Sequence, residues 1–301
     1  MTKIGILLPT REAVFYGDKS GNPRPLVDLA VKAEEMGFDS VWAGDSLLAR
    51  PRSEPLALLS AVAVKTKKVE LGTAVLLPSL RNAEQLAQST ATLDALSGGR
   101  FILGLGGGPD TPGVRTDFKL TGMNFSTRAS QSVKIAERLR SLWRGDKEQM
   151  YPLTHKSEGP PIWMGGAGPR TLERTGRLFD GWFPLATSSE TFRSGLRSVR
   201  QAAENAGRSS DSITASAYLT VVFGESDKAE AQLAEHSELY YGVPHEQISK
   251  AQGSIAGSVE KVVDWLDEFV SAGVEHLCIR FGCEDISGQL ETLASVLHRY
   301  K

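Results

Sequence analysis

Three observations predict an α/β chain closed into a (β/α)8 TIM barrel, with insertions in the loops of one face. Strand-like and helix-like signals alternate eight times along the 301 residues. Such alternation argues for parallel strands joined by helical crossovers. The length suits eight units, since a barrel of this kind takes about 250 residues plus insertions. A sequence echo recurs as well. Glu34-Glu35-Met36-Gly37-Phe38-Asp39 and Val270-Ser271-Ala272-Gly273-Val274-Glu275 both read as helix end, glycine, apolar residue, acid, then strand. Element order alone also admits a doubly wound open sheet. No linker composition divides the chain, so residues 1–301 read as one domain.

Residues 3–8 form the first apolar strand, followed by a long polar loop over 10–24. Residues 25–36 place Leu26, Leu29, Ala30, Ala33 and Met36 at helical spacing, and Gly37 ends that helix. Residues 39–42 are the second strand, 44–53 a loop, and 54–66 a helix rich in Ala and Leu. The third strand covers 69–75. A turn at 78–81 precedes Asn82, which can cap the helix over 83–96. Gly98 and Gly99 stop it before the fourth strand, 100–105. A loop over 106–125 follows, and Ser126 can cap the helix that runs to Trp143. Residues 162–164 make a short buried strand, 170–178 a helix with Pro169 at its first turn, and 181–183 the sixth strand. A helix over 189–205 leads to the β-branched seventh strand, 213–223. Two helices, 227–239 and 259–272, are joined by a loop. The eighth strand, 274–280, and a helix over 286–300 close the chain.

Composition narrows the function. The chain is 41 % hydrophobic with a formal net charge of −2, enough for a large core and without the basic field that nucleic acid requires. No apolar run is long enough for a membrane span or a signal-peptide core, so a cytoplasmic setting is expected. The two cysteines, Cys278 and Cys283, read as ordinary reduced thiols. No histidines pair at i, i+4, and no metal site is expected. Trp42, Trp163 and Trp182 lie in strands, where core packing is their default role.

In a barrel the loops after the strand C-termini build the site. That rule selects Arg11 and Glu12 after the first strand, Asp45 and Ser46 after the second, and residues 74–77 after the third. It also selects residues 106–110, 165–170 and 184–187, and Arg280 after the last strand. Loops as long as 10–24 and 106–125 are often lids. Gly165-Gly166-Ala167-Gly168-Pro169-Arg170 runs from a strand into a helix, whose free N–H groups and dipole favour a phosphate, with Arg170 as a further contact. The same glycines also serve a tight turn. Gly104-Leu105-Gly106-Gly107-Gly108 lacks the third glycine and the following helix of a dinucleotide fingerprint. Its missing side chains instead leave room for something flat against the strand. Gly44-Asp45-Ser46-Leu47 spells an esterase signature, but no Asp-x-x-His near the C-terminus supplies the base that a serine nucleophile needs. Asp45 and Ser46 are better placed facing a ligand, or Asp45 caps the loop before the next helix.

Read together, these motifs make the chain resemble the bacterial-luciferase-like superfamily of flavin- and deazaflavin-dependent oxidoreductases. The residues that carry the resemblance are Gly37-Phe38-Asp39-Ser40-Val41-Trp42 with Asp45; Leu71-Gly72-Thr73-Ala74-Val75-Leu76-Leu77-Pro78; Arg81-Asn82; Ala91-Thr92-Leu93-Asp94-Ala95-Leu96-Ser97-Gly98-Gly99-Arg100; the glycines at 104 and 106–108; and the 165–172 loop with Asp180-Gly181. The resemblance covers the first six strands and thins after Thr187. It implies a cofactor ring at the barrel mouth, either the deazaflavin coenzyme F-420 for hydride transfer or, alternatively, FMN for a monooxygenase fed by a partner reductase. It implies a non-prolyl cis peptide at Ala74–Val75 behind the ring, space beneath the ring at Gly106 and Gly107, and the cofactor phosphate on Gly165, Gly166, Ala167, Gly168, Pro169 and Arg170. Asp45 and Ser46 would act on the ring or substrate, with Arg11, Asp110 and Arg280 as further substrate contacts. The F-420 branch is favoured by the Gly-Pro-Arg loop and Asp45. Relatives with Asp-His after the second strand have Asp45-Ser46 here, and those that oxidise sugar phosphates place a Glu where Pro109 and then Asp110 stand. Sugar-phosphate oxidation is therefore not expected. A small-molecule substrate, a possible reductase partner and a possible homodimer complete the expectations, and a non-catalytic cofactor carrier on the same barrel is the contrasting class.

Overall fold

The computed structural model describes residues 1–17 and 20–301. Among these residues nine parallel strands form one sheet. They are β1 (Lys3–Leu7), β2 (Ser40–Ala43), β3 (Glu70–Thr73), β4 (Phe101–Leu105), β5 (Ile162–Met164), β6 (Gly181–Trp182), β7 (Thr214–Phe223), β8 (Ser254–Gly257) and β9 (His276–Phe281). The order is β6-β5-β4-β3-β2-β1-β9-β7-β8, and β6 also pairs with β7. That last pairing closes eight strands into a ring and removes the open-sheet alternative. The ninth strand, β8, lies outside the ring. Long β7 pairs with β6 at Thr214 and Ala215, then with β8 at Thr220 to Phe223. Residues 254–257 were expected as loop. Their four-residue strand is held by the overhang of β7, a tertiary partner that local pattern cannot reveal.

Side chains inside the ring stack from bottom to top. Trp42 packs on Trp163 with ring centroids 5.3 Å apart and on Phe183 at 4.8 Å. Beneath them His276 shares a 2.6 Å hydrogen bond with Ser40 Oγ, which also accepts from Trp42 Nε1 at 2.7 Å. A Cβ on Gly72 would collide with the Trp42 ring, so this barrel layer requires a glycine. Burial drives the His276 pKa down to about 3, so the imidazole is neutral at neutral pH. Trp182 packs on the outer layer instead, stacked on Phe192 at 5.0 Å.

Capping residues place the helix starts. Asn82 accepts from the Gln85 N–H at 3.0 Å, and Gly98, at φ 67°, closes the helix Ala83–Ser97. Ser126 does not cap the next helix. Its N–H and hydroxyl both go to Asn124 Oδ1, a 3-10 turn intervenes, and the helix spans Arg128–Arg144. The loop over 106–125 contains a helix, Pro112–Leu120, capped by Thr111. A short helix, Glu12–Phe15, follows β1. Among the described residues no helix is long and apolar enough to cross a membrane.

Candidate active site

The loops at the C-terminal ends of the strands enclose a cavity of about 580 Å³. Its floor is built on β3, β4 and β5. The Ala74–Val75 peptide is cis, and Val75 projects toward three glycines. A Cβ on Gly106 would strike the Val75 side chain, and one on Gly165 would lie 3.3 Å from it. Gly107 and Gly108 continue the wall, and Gly108, at φ 75°, has a conformation that other residues rarely adopt. Three neighbouring strands thus offer bare backbone around one protruding valine.

The floor leads to the turn 165–168. Gly165 donates to the Leu105 carbonyl at 2.8 Å, and Gly166 takes φ 102°. The helix Pro169–Leu178 starts at Gly168 with no side-chain cap. The N–H groups of Gly166, Ala167 and Gly168 have no protein acceptor among the described residues. Arg170 is exposed beside them, with no ion pair among the described residues. An uncapped helix start with free amides fits an anion. Gly165, Gly166, Ala167 and Thr171 line the cavity; Gly168, Pro169 and Arg170 follow in the chain but are not among its lining residues.

Asp45 and Ser46 stand at the mouth of β2 and line the cavity. The Asp45 carboxylate is fully engaged. It accepts from Arg81 at 2.6 and 3.0 Å and from the Leu77 N–H at 2.9 Å, and its side chain is 4 % exposed. Arg81 reaches on to Glu54 at 3.0 Å. This cluster fastens the loop after β2 to the loop after β3. Ser46 Oγ accepts from the Arg50 N–H at 2.9 Å. Asp117, on the helix within the 106–125 loop, accepts from the N–H groups of Leu48 and Ala49, so that loop is tied to the loop after β2.

The three proposed substrate contacts are placed differently. Asp110 is exposed and paired with Arg115 at 2.6 Å. Arg11 is half-buried, 4.7 Å above the Tyr240 ring. Burial and then the charges of Arg50 and Arg52 pull its pKa down to about 10, against Tyr240. Arg280 is buried behind the cavity wall, where its Nη1 donates to Tyr241 Oη at 2.8 Å.

The opposite wall was not foreseen in the sequence. Tyr218 comes from β7, Tyr240 and Tyr241 end the helix Ser226–Tyr241, Gln252 precedes β8, and Arg50 and Arg52 lie in the loop after β2. In an eight-strand ring β7 stands across from β3, so this wall faces Val75. Arg52 Nη2 donates to Tyr240 Oη at 2.7 Å, Tyr241 Oη donates to Gln252 Oε1 at 2.6 Å, and Gln252 Nε2 donates to Thr220 at 2.6 Å. Behind it Glu12 and His236 are buried with 3.7 Å between them. Burial raises the Glu12 pKa and lowers that of His236 to about 3. The loop-after-strand rule could have found Arg50 and Arg52. Tyr240 and Tyr241 sit at the far end of a helix, where local pattern gives no signal.

Comparison with known proteins agrees with the barrel fold. The model of the luciferase-like monooxygenase family matches residues 2–276. An F-420-dependent glucose-6-phosphate dehydrogenase of Nocardia farcinica (strain IFM 10152) is 30 % identical, over 85 % of this chain and 87 % of its own. Among solved structures, an F-420-dependent secondary alcohol dehydrogenase in complex with an F-420–acetone adduct superposes with a TM-score of 0.80 at 21 % identity, covering 100 % of this chain and 99 % of that one. A monooxygenase from Streptomyces bottropensis gives 0.82 at 20 %, covering 99 % and 100 %.

Proposed function

The chain belongs to the luciferase-like monooxygenase family, and from that premise we propose that it is an oxidoreductase that binds coenzyme F-420 in this cavity and moves hydride to or from a small organic substrate. The observation that carries the proposal is the floor itself. Val75 and the glycines at 106–108 and 165–166 leave a slot floored largely by bare backbone that runs to an uncapped helix start. A planar ring fits the slot and a phosphate fits its end. When bound, the deazaflavin supplies the ring carbon that accepts or donates hydride. The choice of F-420 over FMN follows the F-420-dependent relative.

The chain's own residues divide the work. Gly106, Gly107 and Gly165 admit the ring, and the amides at 166–168 with Arg170 hold the phosphate. Asp45 holds the β2 and β3 loops in register through Arg81 and Leu77, which aims Val75 and Ser46. Arg50 and Arg52 bring positive charge to the substrate side. Glucose 6-phosphate oxidation is not carried over from the relatives. Ser46 and Pro109 occupy the acid/base positions that the resemblance assigns to that chemistry, and Asp110 is committed to Arg115 outside the cavity. A partner reductase, a homodimer and a cytoplasmic setting belong to the same proposal.

Turnover separates this enzyme from a cofactor carrier on the same scaffold. Purified protein with reduced F-420 and a panel of carbonyl and alkene acceptors is expected to restore the absorbance of the oxidised deazaflavin with at least one acceptor. Tight binding with no turnover across the panel would favour the carrier.

A further inference from the structure

We propose that Tyr240 is the catalytic acid–base residue, exchanging a proton between its Oη and the oxygen of an alcohol or carbonyl substrate as hydride passes between the substrate carbon and the bound cofactor. The inference rests on the oxidoreductase reading above and names its substrate class.

Among the described residues the cavity is lined by no histidine, lysine, cysteine or glutamate. Apart from its arginines, the titratable side chains of the cavity are Asp45 and three tyrosines. Asp45 is held by Arg81 and Leu77. Tyr241 Oη accepts from Arg280 and donates to Gln252, so its proton is already assigned. Burial raises the Tyr218 pKa well above the ordinary phenol value. Tyr240 differs from both in its partner: its Oη accepts from the Arg52 guanidinium at 2.7 Å and, unlike Tyr241 Oη, donates to no acceptor among the described residues.

The charges around Tyr240 favour the phenolate. Arg280 and Arg11 lie 4.5 and 4.7 Å from its ring centroid, and Arg52 and Arg50 lie 5.8 and 6.0 Å away. The other titratable neighbours are Tyr218, Tyr241, His236, stacked on the ring at 5.4 Å, and Glu12 behind it. Burial pushes the Tyr240 pKa up and Glu12 adds to that. Arg52, by charge and hydrogen bond, and Arg280 outweigh them, and the pKa falls below the ordinary value. Of the three cavity tyrosines it alone moves in this direction.

The balance of the step is simple. On oxidation the alcohol O–H bond breaks and its proton goes to the Tyr240 phenolate. The carbinol C–H bond breaks with both electrons passing to the deazaflavin, and the carbonyl forms. On reduction the Tyr240 phenol returns the proton to the oxygen as hydride reaches carbon. Arg50 and Arg52 stabilise charge that develops on that oxygen.

The first test needs no cofactor. An ultraviolet pH titration of the tyrosinate band in the free protein should show one of the six tyrosines ionising below the free value of about 10. Tyr240→Phe should remove that early step, and Arg52→Gln should move it to higher pH. An early step that survives in Tyr240→Phe, or no early step in the unmodified protein, overturns the proposal. The second test uses the F-420-loaded protein and a panel of alcohols and ketones. Tyr240→Phe, with an unchanged circular dichroism spectrum and cofactor affinity, should lower kcat by about 100-fold or more and flatten the pH profile. An unchanged kcat and profile overturn the proposal. Failure of the unmodified protein to bind F-420 would instead strike the oxidoreductase reading, and the tyrosinate titration would still decide the ionisation of Tyr240.

Discussion

Asp45→Asn tests whether the carboxylate at the mouth of β2 is scaffold or chemistry. The substitution keeps an acceptor for the Leu77 N–H and deletes the charge that Arg81 grips at 2.6 and 3.0 Å. Removing one partner of a buried ion pair costs about 3–5 kcal/mol. Two features reduce that figure here. Arg81 is 23 % exposed and keeps Glu54 at 3.0 Å, so about 2–3 kcal/mol is expected after screening. Unfolding entropy near 2.1 cal/mol/K per residue amounts to about 0.6 kcal/mol/K for this chain, so the melting temperature should drop by about 3–5 °C. Thermal melting by circular dichroism reads that shift, and a cofactor titration run alongside should show weaker binding, because the β3 loop that carries Val75 is loosened. An unshifted melting temperature with intact cofactor affinity and abolished turnover would refute the scaffold argument and give Asp45 a direct role on the substrate or ring.

Three further outcomes follow from the same structure. His236 and His276 both have their pKa lowered to about 3 by burial, while the unfolded chain titrates near 6.5. Stability should therefore fall as pH drops from about 6.5 toward 3, by about 2 kcal/mol per histidine at pH 5; urea midpoints should show a flatter pH slope in His276→Gln, and an unchanged slope would sink the assignment. Gly107→Val adds a side chain whose Cβ meets Arg128 at an ordinary 3.5 Å, so the melting temperature should hold while cofactor affinity drops about tenfold or more; unchanged affinity would move the ring elsewhere. Arg170→Ala removes an exposed charge beside the free amides, so F-420 affinity should fall by about tenfold with stability within about 0.5 kcal/mol, and equal affinity at low salt would remove Arg170 from the phosphate site.

The fold was legible because its signals are local. Period-3.6 helices, short β-branched runs and glycine stops recur eight times, and each can be read from its own neighbours. β8 escaped because its four residues form a strand only against the overhang of β7. On the floor of the site, Gly106 and Gly165 stood out as glycines directly after strands, whereas Val75 was expected only from the family resemblance. The opposite wall was not readable, because Tyr240 and Tyr241 reach the cavity only through the path of the helix after β7. Asp45 shows a third case. Its position at the mouth of β2 was evident from sequence, but its commitment to Arg81, 36 residues later, needed coordinates.

The central claim is that this cavity holds a deazaflavin, and titration of the purified protein with F-420 and with FMN, followed by absorbance, tests it most directly. Saturable F-420 binding at micromolar concentration is expected, tighter than FMN and weakened by Gly107→Val. Failure of both cofactors to bind below about 1 mM would contradict it.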